Sequence, residues 1–216
     1  MITIPHKAYA VLNQKGGAGK STTAGHFAYW LHQRGNILFV DADGQKSASP
    51  WMEALGVPTL ALSDPEKLFE QICLKAKEYD AIVVDGPGNA SEVTKAILGC
   101  CDFVLIPNRP SDLDLRSSGT IVKFIKQMWE IKRGESPSAG FFLNAAKGER
   151  SVLLREAKET LNASSIPLLE TVIYDLACIT DSPGQQKTVF QMKGKTPKTA
   201  AAAYDALFQE VMEVLA

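Results

Sequence analysis

The feature that most constrains the fold of this chain is a series of short, continuously apolar segments separated by longer segments with helical spacing. Strands that are apolar without alternation are typical of sheets covered by helices on both faces. Between the first two apolar segments, Ala24, Phe27, Ala28 and Leu31 recur at i, i+3, i+4 and i+7, which indicates one helix face beginning near residue 21. The five clearest predicted strands are AYAVLN (8–13), ILFVDAD (37–43), AIVVDG (81–86), FVLIP (103–107) and FFLN (141–144).

A repeated strand–helix order predicts an α/β fold, with a mostly parallel, doubly wound sheet flanked by helices and joined by right-handed crossovers. Further helices are predicted at about residues 112–132 and 151–161. The 216 residues are 45% hydrophobic, which is enough for a sizeable core, and no repeat or linker divides them. We therefore predict one domain over residues 1–216.

The charge and the cysteines exclude several classes of function. A formal net charge of −1 excludes a globally basic nucleic-acid binder, so contact with a polyanion would need a local patch. The four cysteines have no C-x-x-C spacing, so reduced thiols are expected. No segment approaches the roughly 18 consecutive apolar residues that a membrane span needs, and no secretory signal is evident. We expect a cytoplasmic protein.

The segment NQKGGAGKST (13–22) lies between the first predicted strand and the first predicted helix, which is where a phosphate-binding turn belongs. Its glycines let several backbone N–H groups point at a phosphate, and the helix N-terminus adds a positive dipole end. Lys20 would reach the β- and γ-phosphates, and the Ser21 hydroxyl would be a magnesium ligand. A glycine-rich turn without a ligand is the alternative. The predicted nucleotide-binding residues here are Lys15, Gly16, Gly17, Ala18, Gly19, Lys20, Ser21 and Thr22.

Acidic residues end two of the other predicted strands. Asp85 ends the third, and Asp41 and Asp43 end the second. Loops at the carboxyl ends of parallel strands share one crevice, so these acids should lie near the phosphate loop. Carboxylates there could hold magnesium and polarise an attacking water. Asp85 is the predicted magnesium-holding residue, whereas Asp41 or Asp43 could instead cap the next helix.

With these residues located, the sequence resembles the ParA family of deviant Walker A ATPases, in particular small members without an amino-terminal DNA-binding domain. The pattern K-G-G-x-G-K-[ST] is complete from Lys15 to Ser21, and Gln14 replaces the first glycine of the ordinary loop. The resemblance implies a P-loop NTPase of the SIMIBI type. It also implies that Lys15 is the signature lysine, which reaches the ATP phosphates of the partner in a sandwich homodimer.

Other segments extend the resemblance. DADGQ (41–45) is similar to the D-x-D-P-Q motif of the family, with Gly44 in place of proline, and IPNRPSDLD (106–114) is similar to I-P-x-x-P-S-x-x-D. The resemblance implies that Asp43 orients the attacking water and that Asn144 contacts adenine. Lys15, Lys20 and Asp43 are then the catalytic set, with Ser21, Asp43 and Asp85 around Mg²⁺. TVIYDLACITDSPG (171–184) lacks an arginine that many relatives carry after the seventh strand.

The resemblance also implies binding of nonspecific DNA by the ATP-bound dimer. Lys187, Lys193, Lys195 and Lys198 lie in a stretch, residues 182–204, that contains no acidic residue, and they are the predicted DNA contacts. A solvated lysine-rich loop is the alternative. In the last predicted helix, Leu207, Phe208, Val211, Met212 and Leu215 share one face, and the opposite face is acidic. Because acidic residues repel anionic lipid, we predict core packing and no membrane anchor.

The resulting hypothesis is an ATP- and Mg²⁺-dependent partition or positioning ATPase. It would be a nucleoid-associated homodimer, released from DNA when a ParB-like adaptor stimulates hydrolysis. The cargo could be a plasmid, a chromosome or a protein assembly. The alternative is an ATP-dependent metabolic ligase or synthetase on the same fold. An iron–sulfur carrier is disfavoured by the cysteine spacing.

Overall fold

The computed structural model describes residues 7–45, 48–89, 91–111, 119–132 and 137–215. The strands in these ranges are β1 (Lys7–Val11), β2 (Ile37–Asp41), β3 (Thr59–Ala61), β4 (Ala81–Asp85), β5 (Phe103–Asn108), β6 (Ser138–Ala146) and β7 (Leu168–Tyr174). The helices are α1 (Lys20–His32), α2 (Ser49–Ala54), α3 (Pro65–Lys75), α4 (Glu92–Cys100), α5 (Gly119–Ile131), α6 (Val152–Asn162), α7 (Ala177–Thr180) and α8 (Lys195–Val214).

All seven strands join one parallel sheet in the order β3-β2-β4-β1-β5-β6-β7. Chain order reverses on the two sides of β1, so the sheet is doubly wound and the predicted fold class is confirmed. The phosphate-loop segment leaves the carboxyl end of β1, at the position where the winding reverses. That residues 1–216 form one domain stays a prediction.

The core consists of two apolar layers, one on each face of the sheet. Tyr9 and Val11 of β1 belong to the layer under α1, α2 and α8, whereas Ala8 and Ala10 belong to the layer under α3 to α6. Both side-chain directions of a central strand are therefore buried, which explains why these strands are continuously apolar.

The two edge strands were not among the five predicted from apolar runs. β3 has only three residues, and burial along β7 is interrupted by exposed and half-buried positions. An edge strand is covered less completely than a central one, so its sequence does not show a continuous apolar run. Of the helix predicted at about 112–132, the structure describes Gly119–Ile131; residues 112–118 lie outside the described residues.

The last helix packs in the core, as predicted from its apolar face. Leu207, Phe208 and Val211 are fully buried, and the Phe208 ring lies 4.6 Å from that of Phe27 on α1. The Trp30 indole N–H donates to Asp205 Oδ1 at 2.6 Å, which joins α1 to the rim of α8. Among the described residues, no helix is both long and apolar enough to span a bilayer.

Candidate functional site

The loop between β1 and α1 contains two glycines in the left-handed region. Gly17 has φ 78° and Gly19 has φ 95°, conformations that side-chain-bearing residues rarely adopt. Gly19 is also crowded, since a Cβ there would lie 2.1 Å from Asn144 Nδ2. That Nδ2 donates to the Ala18 carbonyl at 2.8 Å. The curve of the loop is therefore supported by a side chain from β6, 126 residues further along the chain.

Asn13 anchors the start of the loop. Its Oδ1 accepts from the Lys15 N–H at 3.1 Å, and its Nδ2 donates to the Pro107 carbonyl on β5 at 2.6 Å. The side chain is fully buried, so these bonds are poorly replaced by water. This anchoring role of Asn13 was not predicted from the sequence. It could have been suspected, because Asn13 is a polar residue that follows an apolar, buried run.

Lys20 extends back under the loop. Its side chain is buried, and Nζ donates to the Lys15 carbonyl at 3.2 Å. Burial lowers the pKa of Lys20, and the nearby carboxylates of Asp85 and Asp43 act in the opposite direction. An ammonium group held in this position by the loop can neutralise phosphate charge without first being ordered.

Asp85 lies at the tip of β4 and is fully buried. Burial raises its pKa to about 7; the Ser21 hydroxyl and Lys20 lower the pKa, and the negative charges of Asp41 and Asp43 raise it further. The Ser21 hydroxyl is thus a neighbour, but within the described residues neither carboxylate oxygen has a hydrogen-bond donor in regular geometry. A buried carboxylate without a donor is costly, and a cation beside it would relieve that cost.

A hydrated Mg²⁺ fits this arrangement. In the part of the chain that the structure describes, no three acidic, histidine or cysteine side chains form a ready-made metal cage. Magnesium does not require one at a nucleotide site, because it keeps several waters and uses one or two protein ligands together with phosphate oxygens. Ser21 and Asp85 are suitable donors for such a site, and Asp43 lies near enough for its charge to act on Asp85.

The two acids that follow β2 have different surroundings. Asp41 Oδ2 accepts three hydrogen bonds, from the Ala48 N–H (3.2 Å), the Ser49 N–H (2.9 Å) and the Ser49 hydroxyl (2.8 Å). Asp41 therefore caps α2. Asp43 is only partly buried and accepts from the Gln45 N–H at 3.0 Å. The helix cap considered for either acid belongs to Asp41, and Asp43 is available to the phosphate-loop site.

A cavity of about 270 Å³ adjoins the phosphate loop. Its lining residues come from the loop itself, the start of α1, the residue after β5, and from β6, the end of β7, α7 and α8. Its lining includes Gly17, Gly19, Thr22, Arg109, Asn144, Ala145, Tyr174, Asp175, Leu176, Ile179, Thr180 and Tyr204. Asn144 is thus in the wall of a cavity next to the loop, and its contact with adenine stays a prediction.

A second cavity of about 330 Å³ shares Arg109, Ala145 and Asp175 with the first. Among the described residues that line it, Lys15, Arg109 and Lys147 are cationic and Asp175 is acidic. Arg109 lines both cavities, yet sequence reasoning did not select it. The signal was available, because it lies inside the IPNRPSDLD segment that carries part of the family resemblance.

The four predicted DNA-contact lysines are all exposed. Lys187 and Lys193 lie in the irregular segment before α8, whereas Lys195 and Lys198 form part of its first turn. The first turn of α8 contains no acidic residue. None of the four lines either cavity beside the phosphate loop, so they form a surface separate from the site.

Residues 9–190 match the profile of the CobQ/CobB/MinD/ParA nucleotide binding domain. The chain belongs to this family. The resemblance to ParA proteins is therefore confirmed, over most of the chain.

Relatives of known name cover the chain almost completely. Maintenance of carboxysome distribution protein A from Halothiobacillus neapolitanus is 31% identical over 211 residues, covering 94% of this chain and 95% of the relative. Protein ParA from Rhizobium radiobacter is 27% identical and covers 95% of this chain and 97% of its own length. A solved McdA variant from Cyanothece in complex with ATP superposes with a TM-score of 0.75 at 16% identity, covering 96% of this chain and 97% of that one. This last likeness shows the fold alone.

Proposed function

We propose that this protein is a partition or positioning ATPase that hydrolyses ATP with Mg²⁺. The observation that supports this most strongly is the convergence, beside one glycine loop, of the buried Lys20 ammonium, the Ser21 hydroxyl and the buried carboxylate of Asp85. These groups match the three needs of a nucleotide triphosphate site: charge neutralisation, a hydroxyl ligand for the metal and an acid behind it.

Each residue then has a defined role. The N–H groups of residues 16–21 and the start of α1 bind the phosphates, and Lys20 neutralises their charge. Mg²⁺ between Ser21 and Asp85 would supply further positive charge at the γ-phosphate. Asp43 holds the attacking water in line. Asn144 fixes the shape of the loop and contacts the base.

We further propose that ATP joins two copies of the chain. Lys15 lines an open cavity with Arg109 and Lys147, and such a concentration of positive charge is complementary to triphosphate oxygens presented by a second subunit. Lys15 would reach across the interface between the two subunits to the triphosphate bound by its partner. The ATP-bound homodimer would bind nonspecific DNA through Lys187, Lys193, Lys195 and Lys198, and a ParB-like adaptor would stimulate hydrolysis and release.

In the cell, this cycle would keep the protein cytoplasmic and nucleoid-associated while it positions a cargo. The named relatives act in carboxysome distribution or are ParA proteins, so a protein assembly and a plasmid are both suitable cargoes. Because the specificity would lie in the adaptor, identifying the protein that co-purifies with the ATP-bound form is the direct way to find the cargo.

The test combines three measurements on the purified chain: ATP affinity by calorimetry, mass in solution by light scattering, and retention of nonspecific DNA at low salt. We expect saturable ATP binding, an ATP-dependent dimer, and DNA retention that requires ATP and falls steeply with salt. ATP binding without DNA retention would refute the proposed DNA-based positioning.

A Lys15→Ala variant separates this function from the alternative, a metabolic ligase or synthetase. On our proposal the variant binds ATP as a monomer but no longer dimerises, because the crossing ammonium is gone. Arg150→Ala is a suitable control, since Arg150 is an exposed cation that lines neither cavity. A Lys15→Ala protein that dimerises and turns over ATP normally would favour the metabolic alternative.

A further inference from the structure

The segment of residues 181–193, called the lysine segment here, has no regular helix or strand and carries Lys187 and Lys193. It leads directly into the first turn of α8, with Lys195 and Lys198. A segment without a ladder of its own must fix its backbone through side chains or local turns. Two of the side chains that do so come from α1 and α2, which border the phosphate loop and the Asp43 loop.

The first tether is Trp51 on α2. Its indole N–H donates to the Lys187 carbonyl at 3.2 Å, and the ring is buried against α1. Gly25 makes this packing possible, because a Cβ there would lie 2.2 Å from the Trp51 ring. The start of α2 is in turn capped by Asp41, two residues before Asp43. The Asp41 side chain thus joins α2 to the end of β2, the strand that leads into the Asp43 loop, and Trp51 joins α2 to the backbone of the lysine segment.

The second tether is His26 on α1. Its Nδ1 lies 2.7 Å from the Thr22 carbonyl, which can only accept, so Nδ1 carries the proton and Nε2 is the acceptor. Nε2 accepts the buried N–H of Val189 at 3.2 Å. Complete burial lowers the pKa of His26 to about 4, so the ring stays neutral near pH 7 and keeps this arrangement. The ring also stacks on Tyr204 of α8, with centroids 4.6 Å apart.

The lysine segment also begins next to the cavity that adjoins the phosphate loop. Ile179 and Thr180 of α7 line the cavity beside the phosphate loop, and the segment starts at the next residue. Ser182, fully buried, donates to the Cys178 carbonyl at 2.7 Å and lies 3.4 Å from His26 Nε2. A ligand in the cavity thus contacts the element from which the lysine segment emerges.

We propose that Trp51 and His26 are positioning residues that make the conformation of the lysine segment depend on the nucleotide in the phosphate loop. Nucleotide contacts at the first turn of α1, which contains Thr22, and beside the Asp43 loop are transmitted through the two tethers to the backbone at Lys187 and Val189. The consequence for DNA affinity rests on the proposed function, whereas the coupling itself does not.

The decisive comparison is Trp51→Phe against Trp129→Phe. Both substitutions remove one indole N–H that donates to a backbone carbonyl. The indole N–H of Trp129, on α5, donates to the carbonyl of Pro137 at 2.6 Å, and Pro137 directly precedes β6. Hydrogen exchange of peptides covering residues 182–193 is measured with and without a non-hydrolysable ATP analogue and Mg²⁺. We expect the analogue to slow exchange in the wild type and in Trp129→Phe, and to slow it clearly less in Trp51→Phe, in which only the His26 tether remains.

DNA affinity is measured on the same proteins. Loss of one partly buried hydrogen bond should lower the analogue-dependent DNA affinity of Trp51→Phe by about 3- to 10-fold, with its affinity for the analogue unchanged. His26 provides an independent pair of variants. His26→Phe keeps the ring but loses both polar contacts, and His26→Gln keeps one donor and one acceptor, so Gln should restore part of the response that Phe loses.

The outcomes are distinguishable. If exchange in residues 182–193 of the wild type does not respond to the analogue, or if Trp51→Phe responds like Trp129→Phe, the coupling is overturned. If the exchange response follows the expected pattern but no protein binds DNA, the coupling stands and the proposed DNA-binding function falls. If His26→Phe does not fold, the Trp51 and Trp129 pair still decides.

Discussion

Asp85 makes a prediction that separates a site built for a metal from a buried acid with a structural role. Its carboxylate is fully buried, and among the described residues no donor reaches it in regular hydrogen-bond geometry, although the Ser21 hydroxyl lies nearby. In the absence of nucleotide and metal, the ionised form should therefore destabilise the fold. We expect the isosteric variant Asp85→Asn, which cannot ionise, to be more stable than the wild type at alkaline pH.

The magnitude follows from the pKa of Asp85, which burial raises from an ordinary 3.8 to about 7. Between these values the folded protein keeps a proton that the unfolded chain has lost, so the free energy of unfolding falls as the pH rises. At about 1.36 kcal/mol per pH unit, ionising Asp85 costs about 4 kcal/mol once the pH exceeds 7. From pH 5 to pH 8 the change due to Asp85 is about 3 kcal/mol.

The assay is urea unfolding at pH 5 and pH 8 with chelator and without nucleotide, on the wild type, Asp85→Asn and the control Glu130→Gln, an exposed acid on α5. The difference in pH dependence between wild type and Asp85→Asn isolates the one carboxylate from all other titrating groups. Adding ATP analogue and Mg²⁺ at pH 8 should stabilise the wild type, whereas Asp85→Asn should gain much less. Equal pH dependence in the two proteins, or a variant less stable than wild type at pH 8, would refute the reasoning.

Three further outcomes are expected. Asp43→Ala should keep ATP affinity but lower single-turnover hydrolysis at least about a hundredfold, the lower end of the usual contribution of a positioned base, and unchanged turnover would remove Asp43 from catalysis. Asp41→Asn should lower the free energy of unfolding by about 1–3 kcal/mol because the cap of α2 is weakened, which urea unfolding measures against Asp43→Asn, whose side chain caps no helix. Gly19→Ala should abolish ATP binding in calorimetry, because the new Cβ meets Asn144 at a positive φ; Gly16→Ala, with open space around it, should bind far better.

The centre of the fold could be predicted from the sequence, and its edges could not. Strands such as β4 are buried on both faces, so their apolar runs are long and uninterrupted. The predicted ends of β1 and β2 extend two residues too far, because Asn13 and Asp43 belong to the loops that build the site. β3 and β7 pair on one side only and carry no comparable signal.

The candidate site divides in the same way. The phosphate loop is contiguous in sequence, so its glycines, Lys20 and Ser21 could be identified directly. Which of Asp41 and Asp43 caps α2 could not be decided, because the choice depends on the direction in which the chain leaves β2. The contacts of His26 and Trp51 with residues 163 and 136 positions away leave no periodic pattern in the sequence.

The position of Trp51 has a practical consequence. The chain has three tryptophans, and this one lies between the helix of the phosphate loop and the lysine segment. We expect its emission to change when the hydrogen bond of the indole or the contact with the His26 ring changes, so the native protein should contain its own optical reporter. Stopped-flow mixing with ATP at several protein concentrations would then time the rearrangement. A rate independent of protein concentration would place the rearrangement before subunit association, and a rate that rises with concentration would place it after.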